Sequence, residues 1–164
     1  MKRAFRIFLA VIIFSMSVLM LESYALDTAP DFNLKDLNNN AVILNQFKNK
    51  QPVILIFWTT WCPFCRDQLE ALKNKYAQLK QDGVEVFAVD VGERQDTVVS
   101  FIKGRDFPFS ILLDQYTSVA KSFDVFGVPT YVLIDKTGAI ALKDNKFPDY
   151  RGVFGIINTS EDGR

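Results

Sequence analysis

Residues 53–58 form a continuous apolar run, Val53–Trp58, without the alternation of apolar and polar side chains that marks a half-exposed strand. Such a run is typical of a strand that is buried on both faces. A sheet containing it needs helices on both sides, because both of its faces must be kept from water. This run therefore predicts an α/β fold.

The segment after this run predicts an amphipathic helix. Its apolar side chains recur at steps of four, three, four and three residues. They are Cys65, Leu69, Leu72, Tyr76 and Leu79. Pro63 fits the first position of this helix and Gly83 fits its stop.

The rest of the chain alternates between extended and helical patterns. The asparagine cluster 38–40 predicts a turn between two short strands, an N-terminal hairpin, and residues 135–138 predict a second hairpin turn. We expect further strands over 84–91, 109–113, 131–134 and 139–142, and helices over 98–102, 119–123 and 150–157. The order predicts a central mixed sheet flanked by helices.

The N-terminus has the pattern of an export signal. Lys2, Arg3 and Arg6 precede an apolar run over 7–21, which is shorter than the about 20 residues that span a bilayer. Ser23 and Ala25 then fit a small-residue cleavage site. We predict a signal peptide over 1–25, with an uncleaved membrane anchor as the alternative, then a domain over 26–157 and a flexible tail over 158–164. Both versions predict a periplasmic or other extracytoplasmic location.

Composition excludes several classes of function. Lysine plus arginine and aspartate plus glutamate both number 19, so no basic surface is predicted for a nucleic acid. The chain has no histidine, which excludes Ser-His-Asp and Cys-His catalysis and any histidine metal ligand. Its two cysteines cannot form the framework of a disulfide-rich protein.

The two cysteines, Cys62 and Cys65, lie where the buried strand meets the first helix. With Pro63 at the first helical position, Cys62 occupies the cap, where the positive helix end favours a thiolate. Cys65 follows one turn later on the same face. We expect Cys62 to attack a substrate disulfide and Cys65 to resolve the mixed disulfide.

Three other roles for the pair stay open at this point. A structural disulfide would close a loop of only four residues and stabilise the fold by about 2 kcal/mol. A zinc site would lack two of its four ligands, since no other cysteine or histidine exists. A two-coordinate Cu(I) site needs only two thiolates.

The stretch Phe57–Cys65 resembles the active site of the thioredoxin superfamily. Val91–Glu93, Gly127–Thr130 and the start Ala29–Phe32 make the chain similar to the TlpA/ResA-like extracytoplasmic branch. The resemblance implies a thioredoxin-like fold with a central helical insertion at about 92–108. We expect no cofactor and no metal. The resemblance also implies a reducing role in cytochrome c maturation or other envelope thiol exchange.

The resemblance further implies partners and a substrate surface. The partners would be proteins with cysteines or disulfides and a membrane or periplasmic electron-donor thiol protein, and the chain itself would be a monomer. Pro129 would be the cis-proline facing the cysteines, which leaves the backbone of Val128 free to pair with substrate. Trp61 and Phe64 would form an apolar rim.

The chain departs from this family pattern at two positions. Thioredoxins place a buried acid six residues before the first cysteine, where this chain has Ile56. ResA-like proteins carry a glutamate three residues after the second cysteine, where this chain has Gln68. The proton acceptor for Cys65 would then be water or another carboxylate, such as Asp67 or Glu70.

A peroxidase of the peroxiredoxin class is the alternative enzyme. Its members share the Ala29–Phe32 start and carry a proline seven residues and a threonine three residues before the attacking cysteine. Thr59 matches this pattern, but Leu55 does not.

Overall fold

The structure is a computed structural model that describes residues 27–156. The predicted signal peptide and tail lie outside these residues. The strands are β1 (Asn33–Asp36), β2 (Ala41–Ile43), β3 (Val53–Trp58), β4 (Glu85–Val91), β5 (Ser110–Asp114), β6 (Thr130–Ile134) and β7 (Ile140–Asp144). The α-helices are α1 (Pro63–Gln81), α2 (Gln95–Ile102), α3 (Ser118–Ser122) and α4 (Tyr150–Phe154), and a 3-10 turn spans Leu44–Gln46.

The seven strands form one mixed sheet in the order β2-β1-β5-β4-β3-β6-β7. The three central strands β3, β4 and β5 are parallel, and the hairpins β1–β2 and β6–β7 extend the sheet with antiparallel strands on either side. The α/β class, the N-terminal hairpin and a helix inside the predicted insertion are confirmed.

Strand β3 lies inside the sheet, between β4 and β6, and both of its faces are apolar. All six of its residues are buried. Ile54, Ile56 and Trp58 pack with the buried side chains of α1, whereas Leu55 and Phe57 pack on the opposite face with Phe123 at the end of α3. The sheet is thus covered on both sides, as the apolar run predicts.

Helix α1 begins and ends where its sequence predicts. Pro63 is its first residue, and its buried face includes Leu69, Leu72 and Leu79. The helix stops before Gly83, whose φ of 72° is in the left-handed region that favours glycine. The Val84 N–H then donates to the carbonyl of Leu79 at 2.9 Å, which closes the last turn.

The C-terminal helix is shorter than its sequence predicts. The prediction covers 150–157, but α4 ends at Phe154 because Gly155 adopts φ 65°. The helix is tied to the end of α1 through Asp82, which accepts hydrogen bonds from Tyr150 Oη at 2.6 Å and Arg151 Nε at 2.7 Å. These bonds hold the pKa of Asp82 below its usual value.

Candidate active site

The cysteine pair lies at the carboxyl edge of the parallel strands. Strand β3 ends at Trp58, and the chain turns so that the Cys62 N–H reaches the carbonyl of Thr59 at 3.4 Å. Pro63 then starts α1, because its fixed φ suits a first helical turn and its missing N–H would have no partner there. Cys62 therefore becomes the N-cap residue of α1.

The two sulfurs are bonded to each other, and the Cα atoms of Cys62 and Cys65 are 5.3 Å apart. The Cys65 N–H donates to Cys62 Sγ at 3.2 Å. This amide lies in the first turn of α1, where backbone N–H groups have no acceptor within the helix. Cys62 keeps 4% of its surface exposed, whereas Cys65 is fully buried. Cys62 is therefore the sulfur that an incoming thiol can reach.

The loop before β6 faces Cys62. The Val128–Pro129 peptide bond is cis, as the resemblance implies. The carbonyl oxygen of Val128 lies 3.7 Å from Cys62 Sγ. Asn145 Nδ2 donates to the carbonyl of Pro129 at 3.1 Å and holds this loop from the side of β7. Val128 and Pro129 are thus brought together with the cysteines.

Exposed aromatic side chains lie in the loop before α1, in the first turn of α1 and in the loop before β6. Trp61 is 68% exposed and Phe64 is 74% exposed, so neither belongs to the core. Phe126, two residues before Val128, is 95% exposed, and sequence reasoning missed it. The signal that could have identified it is an aromatic residue directly before the Gly127–Thr130 motif. We call Trp61, Phe64 and Phe126 the aromatic rim.

Glu93 anchors the loop that carries Cys62. Its two carboxylate oxygens accept hydrogen bonds from the backbone N–H and the hydroxyl of Thr60, each at 2.6 Å. Arg66 donates to the carbonyl of Thr60 at 3.3 Å from the other side. Thr60 is two residues before Cys62, so these contacts hold the approach to the helix cap in place.

The two positions at which the family resemblance implies an acid carry side chains that do not titrate. Ile56 is buried within β3. Gln68 accepts a hydrogen bond from the Phe147 N–H at 3.0 Å and so serves to dock the segment after β7. Asp67 and Glu70, the carboxylates offered as substitutes, are exposed on α1, whereas Cys65 is fully buried.

Asp90 is a buried acid that sequence reasoning missed. It is 0% exposed, and Glu93 is the polar residue that acts on it most, through its carboxyl and its backbone N–H. Burial and the neighbouring Glu93 carboxyl raise its pKa to about 8. The signal that could have identified it is one charged residue within the apolar strand 84–91, which was interpreted only as a buried strand.

The part of the chain that the structure describes contains no group of three or more histidine, cysteine, aspartate or glutamate side chains placed to hold a metal ion. Within residues 27–156, none of the helices combines the length and the apolar character needed to cross a bilayer.

A parallel-centred sheet, a Cys-X-X-Cys pair at the start of a helix and a cis-proline opposite it define a protein of the thioredoxin superfamily. More narrowly, the chain belongs to the AhpC/TSA family, whose profile matches residues 25–143.

The curated relatives narrow this placement to the TlpA/ResA-like branch. The chain is 36% identical to the thiol-disulfide oxidoreductase ResA of Bacillus thuringiensis subsp. konkukian and 38% identical to ResA of Bacillus subtilis, over 112 residues in each case. These residues are 68% of this chain but only 64% and 62% of those relatives, so the chain spans less than two thirds of their length.

A solved structure, that of a thiol:disulfide interchange protein from Bacteroides sp., matches with a TM-score of 0.69 and 26% identity. The match covers 83% of this chain and 91% of that one. The resemblance derived from the motifs is thereby confirmed at the level of fold and family.

Proposed function

We propose that this protein is a thiol–disulfide oxidoreductase that exchanges disulfides with protein substrates through Cys62 and Cys65. The observation that carries the proposal is the unequal burial of a bonded pair at a helix start. Cys62 is 4% exposed and accepts the Cys65 N–H, whereas Cys65 is fully buried. Such a pair has one sulfur for attack and one for resolution.

In the reductive direction the reaction begins from the dithiol form. The Cys62 thiolate attacks one sulfur of a substrate disulfide, forms a mixed disulfide and expels the other substrate sulfur as a thiolate, which takes a proton. The Cys65 thiol then loses its proton, attacks Cys62 Sγ and expels the second substrate sulfur. Two electrons pass to the substrate, and the pair ends as the disulfide.

The surface around Cys62 favours a polypeptide substrate. The aromatic rim offers it apolar side chains from the start of α1 and from the loop before β6. The Val128 carbonyl, 3.7 Å from Cys62 Sγ, lies where an extended substrate segment could pair with the backbone beside the sulfur. We propose that Val128, Pro129, Trp61 and Phe64 bind substrate, together with Phe126.

We propose a reducing role in an extracytoplasmic compartment, as a monomer supplied with electrons by a membrane or periplasmic thiol protein. The charged and apolar N-terminus supports export. The relatives named thiol-disulfide oxidoreductase ResA support thiol–disulfide exchange as the reaction. The motif resemblance to the TlpA/ResA-like branch favours envelope thiol exchange of the cytochrome c maturation type as its setting. Stable disulfides form outside the cytoplasm, so a specific reductant has substrates there.

The test is the reduction potential of the Cys62–Cys65 pair, measured by equilibration with glutathione or dithiothreitol, together with reduction of a disulfide-bonded protein such as insulin. We expect turnover of insulin and a potential of about −270 mV, as in thioredoxin. A potential of about −120 mV, as in strong oxidants, would contradict the proposal that the protein reduces its substrates.

Two alternative activities are tested with the same preparation. Consumption of hydrogen peroxide at a rate above that of protein disulfides would favour the peroxidase, although Leu55 at the position of its proline is a fully buried residue of β3. Copper retained by the reduced protein without any insulin turnover would favour a Cu(I) carrier.

Removing an aromatic side chain from the rim is expected to slow the reaction with protein substrates but not with small thiols. Trp61→Ala or Phe126→Ala should lower kcat/KM for insulin by about tenfold, because aromatic contacts at interfaces typically contribute 1–2 kcal/mol or more. The rate with dithiothreitol should not change, since a small thiol needs only Cys62. Tyr116→Ala, which removes an 87% exposed aromatic from the β5–α3 turn, is the matched control and should have no effect. Equal losses with insulin and dithiothreitol would contradict a substrate-binding role.

A further inference from the structure

Cys65 needs a proton donor and acceptor that the family positions do not supply. It is fully buried, and in the exchange cycle of the proposed function it alternates between thiol, attacking thiolate and disulfide. Ile56 cannot titrate, and Gln68 is an amide bonded to the Phe147 N–H. A charged thiolate formed in an apolar site is costly unless a proton is exchanged locally.

Asp90 lies on the sheet face that carries the cysteine pair. Along β4, Val86 and Ala88 belong to the buried cluster that contains Cys62 and Cys65. Side chains of a strand alternate between its two faces, so Asp90 follows Ala88 on that same face. It is paired in register with Trp58, the residue at which β3 ends and the chain turns towards Cys62.

The surroundings of Asp90 contain acids rather than cations. Glu93 from the loop after β4 and Asp114 at the end of β5 both act on it, and both raise its pKa. The Glu93 carboxylate accepts a hydrogen bond from the Thr60 N–H, and the Asp114 carboxylate accepts one from the Ala120 N–H at 2.8 Å. Asp90 is fully buried, and Glu93 and Asp114 are the charged side chains that act on it. A buried carboxyl in this position is stable as the neutral acid.

The cations of the neighbouring helix and loop are engaged elsewhere. The guanidinium of Arg66 on α1 lies 5.6 Å from the ring centre of Phe101, and that of Arg105 lies 4.2 Å from it. Phe101 in turn packs on Trp58, with 5.4 Å between ring centres. These aromatic rings cover the site on the side of α2 and keep it apolar.

We propose that Asp90 is the residue that gives a proton to Cys65 when the disulfide is reduced and takes it back when the disulfide forms. In reduction, a donor thiolate attacks Cys62 Sγ, the Cys62–Cys65 bond breaks, and the Asp90 carboxyl transfers its proton to the released Cys65 thiolate. In oxidation, the Asp90 carboxylate accepts the Cys65 proton as Cys65 attacks the mixed disulfide.

The protonation states on both sides of this step match. Near neutral pH the disulfide form holds Asp90 as the neutral acid, ready to donate, because its pKa is about 8. A cysteine thiol ordinarily has a pKa of about 8.5, so a proton passes in either direction at little cost. Glu93 beside Asp90 disfavours a second negative charge and so favours return of the proton.

The experiment follows reduction of the oxidised protein by dithiothreitol alone, through tryptophan fluorescence, at a series of pH values. Each rate is divided by the concentration of dithiothreitol thiolate. The wild-type constant should be highest at neutral pH and fall as the pH rises through about 8, because Asp90 loses its proton there. Asp90→Asn should be about ten- to a hundredfold slower at pH 7 and should show no such fall.

Two control variants accompany Asp90→Asn. Asp67→Asn, at an exposed position on α1, should follow the wild type. Asp90→Glu, which keeps an acid, should retain a fall with its midpoint displaced. An unchanged profile in Asp90→Asn would overturn the proposal, because the titrating group would then lie elsewhere.

A second measurement does not depend on the folding of any variant. Infrared spectra of the oxidised wild type should contain the carbonyl band of a buried protonated carboxyl, which disappears between pH 7 and pH 9. Absence of this band at pH 7 would also overturn the proposal. The kinetic experiment uses dithiothreitol in place of a protein partner, and the infrared experiment needs only the oxidised protein. Both therefore test the role of Asp90 even if the protein does not turn over insulin and the proposed function is wrong.

Discussion

Replacing Cys62 with serine is expected to reduce disulfide exchange to the uncatalysed background. Cys65 remains in that variant, but it is fully buried behind the helix cap and no substrate sulfur can reach it. A serine hydroxyl does not attack a disulfide, so the first step is lost. The measurement is insulin reduction followed by turbidity, with the wild type as reference. Turnover above background in Cys62→Ser would contradict the assigned roles.

Replacing Cys65 with serine should have a different outcome, although turnover is lost as well. Cys62 can still attack, but no second thiol releases the substrate, so a mixed disulfide accumulates. We expect a one-to-one covalent adduct with a disulfide-bonded protein on non-reducing gels, which a reductant dissolves. Cys62→Ser is the matched control and should form no adduct. An adduct in both variants would show that the two sulfurs are equally accessible, in conflict with their burial.

Replacing Asp90 with asparagine is expected to stabilise the oxidised protein at alkaline pH. The folded protein raises the pKa of Asp90 from 3.8 to about 8, which corresponds to on the order of 5 kcal/mol. Because the folded-state value is the higher one, the contribution of Asp90 to stability is fully present below pH 3.8. It is lost as the pH rises from there to about 8, and stays lost above that pH.

The asparagine side chain is neutral at every pH, so it removes this loss. The free energy of unfolding of Asp90→Asn should equal that of the wild type near pH 4 and exceed it by several kcal/mol at pH 9. Urea unfolding at a series of pH values measures the free energy of unfolding of both proteins. Subtracting the wild-type value from that of Asp90→Asn at each pH cancels the titration of all other groups. Asp67→Asn should parallel the wild type, since that side chain is exposed. Parallel curves for Asp90→Asn would mean that Asp90 is not held as the neutral acid.

The elements that sequence predicts well are those whose cause is local. The apolar run over 53–58 indicates a strand buried on both faces. Pro63 and Gly83 indicate where α1 begins and ends, because helix caps depend on a few consecutive residues. The limit of α4 was less clear, since a glycine such as Gly155 is compatible both with a weak helix and with its end.

Features of the site that arise between distant segments were outside the reach of such patterns. The exposure of Phe126 depends on how the loop before β6 leaves the sheet. The function of Gln68 depends on Phe147, which lies 79 positions further along the chain. Glu93 belongs to a motif that the sequence shows, but its hydrogen bond with the Thr60 hydroxyl joins residues 33 positions apart and is not visible in that motif.

Neighbours along the chain are enough to predict the cysteine pair and its proposed order of action, because capping and helical spacing depend only on them. The sequence also determined the α/β class, since an apolar run of that kind requires covering layers on both sides. The buried place of Asp90 on the sheet face of the cysteine pair, and its raised pKa, arise only from tertiary packing. Its burial and the repulsion by Glu93 and Asp114 follow from the packing of β4, β5 and α1, which no local pattern records.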